Sequence, residues 1–274
     1  MAIVPQVFLN AVTPIGVRGN NQTIQWIGTG FFVLRKVSVR GDAKPFLVTN
    51  KHVVKDHRII VVRMKKKDNQ QFGELDAPLV NSVGPIYKLH EDPNVDIAIV
   101  PLNGQYIQNN GYDFPAFDID NNAMTSYELR DNGVDEGALI HMLGYPMGLV
   151  NVQSSLPICR LGCIARMSEA QIVEQRNMLI DVQNFPGNSG SPIILRPELV
   201  SIHGTKNLLR SVLVGIIHSY IPYEEKLFNT QTNKVVEIKS ENSGIAYAHP
   251  FEFIREIIDS IQPTMPLELT MSTD

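Results

Sequence analysis

The chain has 274 residues, with 24 Lys and Arg against 28 Asp and Glu, and a formal net charge of -4. Hydrophobic residues make up 43% and charged residues 19% of it, a balance that is typical of globular chains and excludes a disordered or coiled-coil protein. The mild negative charge argues against a nucleic-acid partner, which needs clustered Lys and Arg. No apolar run approaches the ~18 residues of a membrane helix, so we expect no membrane partner either.

The N-terminal sequence predicts no cleaved export signal, because it has neither a basic segment nor an apolar one. Cys159 and Cys163 are the two cysteines, too few for a disulfide framework, and we expect both to be reduced and packed like small hydrophobic residues. They supply only two of the roughly four ligands that zinc needs. We therefore expect a cytoplasmic protein with no bound metal and no cofactor.

Short β-branched runs separated by Gly, Pro and Asn dominate the chain and predict an all-β barrel or sandwich. They fall into two groups, the first ending near Leu102 and the second beginning near Ala138. The segment between them is rich in Asn, Asp and Gly and predicts a connection with one helical piece at 124–130. Apolar residues at three- and four-residue steps predict an amphipathic helix at 251–261. The strand predictions are 6–12, 29–34, 45–49, 58–64, 96–102, 178–182, 192–195 and 211–217.

The strongest functional motif is the turn Pro186-Gly187-Asn188-Ser189-Gly190-Ser191-Pro192 between two strand-like runs. Glycine adopts backbone angles that a Cβ would forbid, so a turn of this kind lets N–H groups converge beside a serine hydroxyl. Converging N–H donors are what a tetrahedral oxyanion requires. The alternative is an ordinary Gly-Ser loop.

A serine nucleophile needs a base, and the base needs a buried acceptor. His52 ends a buried-looking strand, where a polar ring is hard to explain as core. Asp96 opens an apolar strand, where a carboxylate is costly unless it has a partner. Each has a simpler explanation, His52 as a loop histidine and Asp96 as a strand-start cap. Together with Ser189 they predict a Ser-His-Asp triad.

Five motifs resemble the trypsin-like serine proteases of the chymotrypsin fold, and within them the protease domain of the HtrA/Deg group. A sixth, weaker motif is Ser243 to Pro250. The five are Gly28-Thr29-Gly30-Phe31, Val48-Thr49-Asn50-Lys51-His52-Val53-Val54, Val95-Asp96-Ile97-Ala98, Gly144-Tyr145-Pro146-Met147-Gly148 and Pro186 to Pro192.

This resemblance implies two six-stranded antiparallel β-barrels, followed by a C-terminal helix, with the active site in the cleft between them. The first barrel (1–115) would carry His52 and Asp96, and the second (138–262) would carry Ser189. Residues 116–137 would connect the barrels and 263–274 would form a tail, without a PDZ module. The oxyanion hole would comprise Gly187, Asn188 and Ser189, with the N–H groups of Gly187 and Ser189 as its donors, and a cleavage-activated N-terminus is not expected.

By the same resemblance, the substrate pocket would be lined by residues before Ser189 and by the strand after Gly215. We place Gln183 at its floor, and the wall would comprise Ile217, His218, Ser219 and Tyr220. His218 is either a polar pocket residue or part of a backbone wall beside the substrate.

The sequence thus predicts a serine endopeptidase that hydrolyses protein or peptide substrates through an acyl-enzyme. Two alternatives remain open. One is a catalytically silent binding module that uses the cleft to add a peptide strand. The other is a regulatory protease that becomes active when a protein partner orders its loops.

Overall fold

The computed structural model describes residues 4–37, 42–69, 71–151, 153–198 and 208–261. It is mostly β, with an N-terminal sheet, a C-terminal closed barrel and a final helix. This confirms the predicted all-β fold class with a helix after the barrel. The predicted tail at 263–274 lies outside the described residues.

The N-terminal half forms an eight-stranded sheet in place of the six strands expected. Seven strands follow the order β5-β4-β1-β2-β3-β7-β6, and β8 pairs in parallel with β2. The strands are β1 (Val12–Arg18), β2 (Ile24–Lys36), β3 (Ala43–Thr49), β4 (Ile59–Lys65), β5 (Phe72–Pro78), β6 (Lys88–Leu89), β7 (Ala98–Pro101) and β8 (Phe117–Asp118).

The C-terminal half closes into a six-stranded barrel in the order β10-β11-β14-β13-β12-β9. Strands β13 and β14 continue well beyond the barrel as an exposed two-stranded ribbon, in which Tyr223 pairs with Glu241 and Phe228 with Val235. The barrel strands are β9 (Leu139–Gly144), β10 (Ile158–Arg166), β11 (Met178–Asp181), β12 (Pro192–Leu195), β13 (Val212–Phe228) and β14 (Val235–Pro250).

Six α-helices and one 3-10 turn complete the described structure. Helix α4 begins with a capping box, in which Thr125 and Glu128 bond each other's backbone N–H groups. Helix α6 buries Phe251, Ile254 and Ile257 on one face, as its spacing predicts. The helices are α1 (Gln6–Asn10), α2 (Lys51–Val54), α3 (Gly104–Asn109), α4 (Ser126–Asp131), α5 (Glu169–Gln175) and α6 (Phe251–Ser260), and the 3-10 turn is Pro146–Gly148.

The strand predicted at 6–12 was wrong, because residues 6–10 form helix α1 and β1 begins only at Val12. Pro5 has the extended backbone of a helix N-cap, and the helix turns the Phe8 ring onto Phe117, with ring centroids 4.5 Å apart. Burial of one large side chain therefore outweighs the weak strand preference of the segment.

The hydrophobic core couples the two halves of the chain. One cluster of buried residues contains Phe31 and Val48 from the first sheet together with Ile193 and Val214 from the barrel. A second cluster, including Leu47 and Val62, lies wholly in the first half. The shared cluster fixes the position of the first sheet against the barrel, and hence of the loops that meet between them.

Both cysteines are free, and Cys159 is exposed on β10 while Cys163 is half-buried. The expectation that both pack like buried hydrophobic residues was therefore wrong for Cys159. Within the described ranges, no helix has the length and apolar character needed to cross a membrane.

Candidate active site

His52 and Asp96 are in direct contact, at the junction between β3 and the short helix α2. The Nδ1 atom of His52 lies 2.5 Å from Asp96 Oδ2, and the backbone N–H of His52 donates to Asp96 Oδ1 at 3.0 Å. Both carboxylate oxygens of Asp96 therefore accept hydrogen bonds from one residue. The bond at Nδ1 leaves Nε2 as the ring nitrogen available to another group.

The main chain of Asp96 is held by hydrogen bonds, as its carboxylate is. Its carbonyl accepts from Asn50 Nδ2 at 2.7 Å and from the Lys51 N–H at 3.3 Å, both at the start of α2. On either side of it, Val95 and Ile97 are fully buried. The neighbouring hydrophobic residues thus fix the segment in the core, and helix α2 fixes its polar groups.

Burial by itself would raise the pKa of Asp96, but the hydrogen bonds and charge of His52 outweigh it and hold the pKa below 3.8. Asp96 is therefore ionised at neutral pH. An ionised acceptor at Nδ1 fixes the ring tautomer and stabilises an imidazolium.

Ser189 lies in a turn that has two glycines with left-handed backbone angles, Gly187 at φ 95° and Gly190 at φ 91°. A Cβ on Gly187 would overlap the Tyr145 carbonyl, and one on Gly190 would overlap the Thr29 carbonyl. Only glycine fits at these two positions, because both the backbone angle and the space exclude a side chain.

The carbonyl groups of the turn are held by donors from the surrounding strands and loops. Pro186 accepts from the Met147 N–H at 2.6 Å, and Ser189 accepts from the Thr29 N–H at 2.8 Å. The Gly187 carbonyl accepts from Thr29 Oγ1 at 2.7 Å, and the same hydroxyl oxygen accepts from the Tyr145 N–H at 3.1 Å. These bonds fix the orientation of successive peptide planes.

This arrangement leaves the N–H groups of Gly187 and Ser189 without a protein acceptor among the described residues. In a trans peptide, the N–H points opposite to the carbonyl of the preceding residue. Because the Pro186 carbonyl points toward Met147, the Gly187 N–H points away from it. Two unpaired N–H donors flanking one residue can bind an oxyanion.

The Asn188 N–H differs from its neighbours, because it donates to the Phe185 carbonyl at 3.0 Å within the turn. Its side chain is fully buried next to Gly144. Of the three residues predicted for the oxyanion hole, the structure thus leaves the N–H groups of Gly187 and Ser189 available and uses that of Asn188 to shape the turn.

Gly28 allows the two halves of the site to approach each other. A Cβ built on it would lie 2.8 Å from Val53 Cγ1 and 3.3 Å from the Ser189 carbonyl. Val53 follows His52 in helix α2, so the absence of a side chain at Gly28 lets the Ser189 turn lie beside that helix. The structure brings His52 into contact with Asp96 and places Ser189 on the neighbouring loop.

The predicted pocket residues have different environments. Gln183 is exposed. Its Nε2 atom lies next to Gly244, 3.7 Å from the place that a Cβ on this glycine would occupy. The Ile217 side chain is fully buried in the barrel, and its backbone bonds Gly190 and Ser191 at 2.9 Å each. Ser219 is half-buried, and Tyr220 is 37% exposed.

The His218 ring lies against buried groups: it stacks on His249 with ring centroids 4.2 Å apart, and its Nε2 contacts Asn177 Oδ1 at 2.8 Å. The ring is thus engaged by neighbouring side chains, and the place of His218 in a substrate pocket stays a prediction. Burial lowers the pKa of His218 to about 3, so its ring is neutral at pH 7.

Three residues that organise the site received no role from the sequence. Thr29 bonds the oxyanion turn, Asn184 Nδ2 donates to the Ser219 carbonyl at 3.1 Å, and His249 Nε2 accepts the Asp96 N–H at 2.9 Å. Thr29 and His249 do lie in the Gly-Thr-Gly-Phe and Ala-His-Pro motifs. Among the described residues, no group of three His, Cys, Asp or Glu side chains could hold a metal ion.

The N-terminal sheet and the C-terminal barrel, with the His52–Asp96 pair and the Ser189 turn, are the features of a chymotrypsin-like protein. The chain belongs to the trypsin-like peptidase domain family, whose model matches residues 28–198, more than half of the chain. No curated protein matches it.

The chain is also similar to solved structures at low sequence identity. The chain is similar to the MamO protease domain from Magnetospirillum magneticum in its apo form (15% identity, 93% of this chain and 98% of that one, TM-score 0.48). It is similar to the protease Anisep from Arthrobacter nicotinovorans (12%, 93% and 96%, TM-score 0.48). It is also similar to HBP, known at atomic resolution (10%, 95% and 94%, TM-score 0.51).

Proposed function

We propose that this chain is a serine endopeptidase that cleaves protein or peptide substrates through an acyl-enzyme. The observation that carries the proposal is the bond between His52 Nδ1 and Asp96 beside a serine turn with two unpaired N–H groups. The family supports a peptidase, and the triad chemistry is the proposal.

In the proposed reaction, Ser189 Oγ attacks the carbonyl carbon of the scissile bond and its proton passes to His52 Nε2. The N–H groups of Gly187 and Ser189 stabilise the oxyanion. His52 then gives the proton to the leaving amine as the C–N bond breaks. A water molecule, deprotonated by His52, hydrolyses the ester and restores Ser189.

The substrate chain is proposed to bind in extended form along β13, beyond the end of β12. The pairing of β12 with β13 ends at Pro192 and Ile216. The next part of β13, the backbone of His218 to Tyr220, therefore extends beyond β12. A peptide added to this edge would form main-chain hydrogen bonds, and its side chains would meet Gln183 and Tyr220.

Turnover of a fluorogenic peptide library by Ser189→Ala tests this function, with Ser191→Ala as the matched control two residues away. Ser191 Oγ is buried without a partner in the described structure. We expect Ser189→Ala to lower kcat by several orders of magnitude while peptide affinity stays close to wild type, and Ser191→Ala to stay within a few-fold. Equal turnover by Ser189→Ala and wild type would end the proposal.

The same assay separates the two alternatives. A silent binding module would bind library peptides without cleaving them. A partner-dependent protease would cleave them only after addition of a cell extract, and again only with Ser189 intact.

A further inference from the structure

A buried histidine that the triad chemistry does not use contacts the backbone of Asp96. His249 lies near the end of β14 and is fully buried. Its Nε2 accepts the Asp96 N–H at 2.9 Å, and its Nδ1 lies 2.7 Å from the Arg176 carbonyl. An atom facing a carbonyl must donate and one facing an amide N–H must accept, so the ring is the neutral Nδ1–H tautomer.

The surroundings of His249 favour this neutral ring. His218 stacks on it at 4.2 Å from β13, and Asp96 faces it from the segment before β7. Electrostatic interactions with His90 and Lys51 also lower the pKa of His249. Burial lowers the pKa of His249 to about 4, with Asp96 and the Arg176 carbonyl opposing that shift. At neutral pH the acceptor at Nε2 is therefore present.

The Arg176 carbonyl, which accepts the hydrogen bond from His249 Nδ1, is itself held in place. Arg176 ends helix α5 in the left-handed conformation, with φ 58°. Its Nε donates to Asp92 Oδ2 at 2.8 Å, and Asp92 lies four residues before Asp96. The series of hydrogen bonds from Asp96 through His249 and Arg176 thus ends at Asp92, in the same loop as Asp96.

We propose that His249 is a positioning residue for the triad, which holds the Asp96 backbone so that its carboxylate stays aligned with His52. The inference rests on the proposed function. Helix α2 holds the Asp96 carbonyl from the first half of the chain, and His249 holds the Asp96 N–H from the barrel. The residue therefore ties the barrel that carries Ser189 to the carboxylate that orients the base.

The matched variants His249→Gln and His249→Asn separate positioning from packing. A Gln side chain reaches as far as the Nε2 atom of histidine and can accept the Asp96 N–H. An Asn side chain reaches only as far as Nδ1, so it can bond Arg176 but not Asp96. His141→Leu is the control, since His141 is a buried histidine of the same barrel, on β9.

Two readouts are measured for each variant: the pH profile of kcat and KM, and the low-field proton NMR signal of the His52–Asp96 hydrogen bond. We expect His249→Asn to lower kcat about tenfold, roughly the worth of one hydrogen bond, with KM unchanged. The midpoint of its pH profile should move to lower pH and the proton signal should shift, because the imidazolium loses its aligned carboxylate. His249→Gln should restore both, and His141→Leu should leave both unchanged.

A wild-type midpoint and proton signal in folded His249→Asn would overturn the positioning role. If His249→Asn does not fold, a changed signal and midpoint in His249→Gln, despite its acceptor, would also overturn it. An inactive wild-type protein would instead refute the proposed function, and the NMR comparison would still test the effect of His249 on the His52–Asp96 bond.

Discussion

Lowering the pH from 7.5 to 4.5 should strongly destabilise this protein, because His249 and His218 stay neutral in the folded state well below the usual pKa of histidine. Burial lowers the pKa of His249 from 6.5 to about 4 and that of His218 from 6.5 to about 3. The unfolded chain binds protons at both rings below 6.5, whereas the folded chain does not. Stability is therefore full above pH 6.5 and falls as the pH drops toward the folded-state values.

The size of this effect follows from about 1.4 kcal/mol per pH unit for each ring that protonates only on unfolding. Over two units below 6.5, the two rings together cost roughly 5 kcal/mol, a large share of the ~5–15 kcal/mol that stabilises a typical domain. Asp96 adds no loss in this window, because its folded-state pKa lies below 3.8 and its contribution disappears only at lower pH.

Urea unfolding followed by tryptophan fluorescence and far-UV circular dichroism at half-unit pH steps measures this loss. The double variant with His218→Gln and His249→Gln removes both titrating rings and should give a much flatter profile than wild type. His141→Gln serves as a control, and it should keep most of the wild-type slope. A wild-type free energy of unfolding that stays constant between pH 7 and 4.5 would refute the reasoning.

Two further substitutions test how the oxyanion turn is built. Thr29→Val removes a donor to the Gly187 carbonyl and an acceptor for the Tyr145 N–H; we expect a stability loss of about 2–4 kcal/mol and a fall in kcat larger than the rise in KM. Denaturant unfolding and steady-state kinetics measure the two effects, and wild-type values of both would contradict the assigned contacts. Gly190→Ala forces a Cβ into a left-handed residue against the Thr29 carbonyl. Its cost should reach about 3 kcal/mol or more, and thermal unfolding at the wild-type temperature would contradict this packing.

Local motifs predicted the fold class and the identities of the candidate site residues, because glycine turns and buried polar residues leave a signal in the sequence. The strand that ends before His52 and the one that follows Asp96 are apolar runs, so both strands were predicted, although each had one end displaced by about two residues: 45–49 against Ala43–Thr49, and 96–102 against Ala98–Pro101. The contact of His52 with Asp96 depends on the pairing of β3 with β7. This pairing joins two strands that are far apart in the sequence, and the apolar character of both strands is consistent with it.

Other features could not be predicted because they depend on long-range packing. Helix α1 forms because Phe8 packs on Phe117, more than one hundred residues away in sequence. The β13–β14 ribbon is exposed on both faces, so its residues lack the alternation of apolar and polar side chains that marks a half-buried strand. Similarly, nothing local to His249 indicates that its ring bonds the backbone of Asp96.

The most direct test of the central claim is mass-spectrometric mapping of a fluorophosphonate adduct on the intact chain. We expect one stoichiometric adduct on Ser189 in wild type, and strongly slowed labelling in His52→Ala, because the serine loses its base. An adduct on another residue, or labelling of Ser189 that is as fast without His52 as with it, would contradict the assignment of Ser189 and His52 as nucleophile and base.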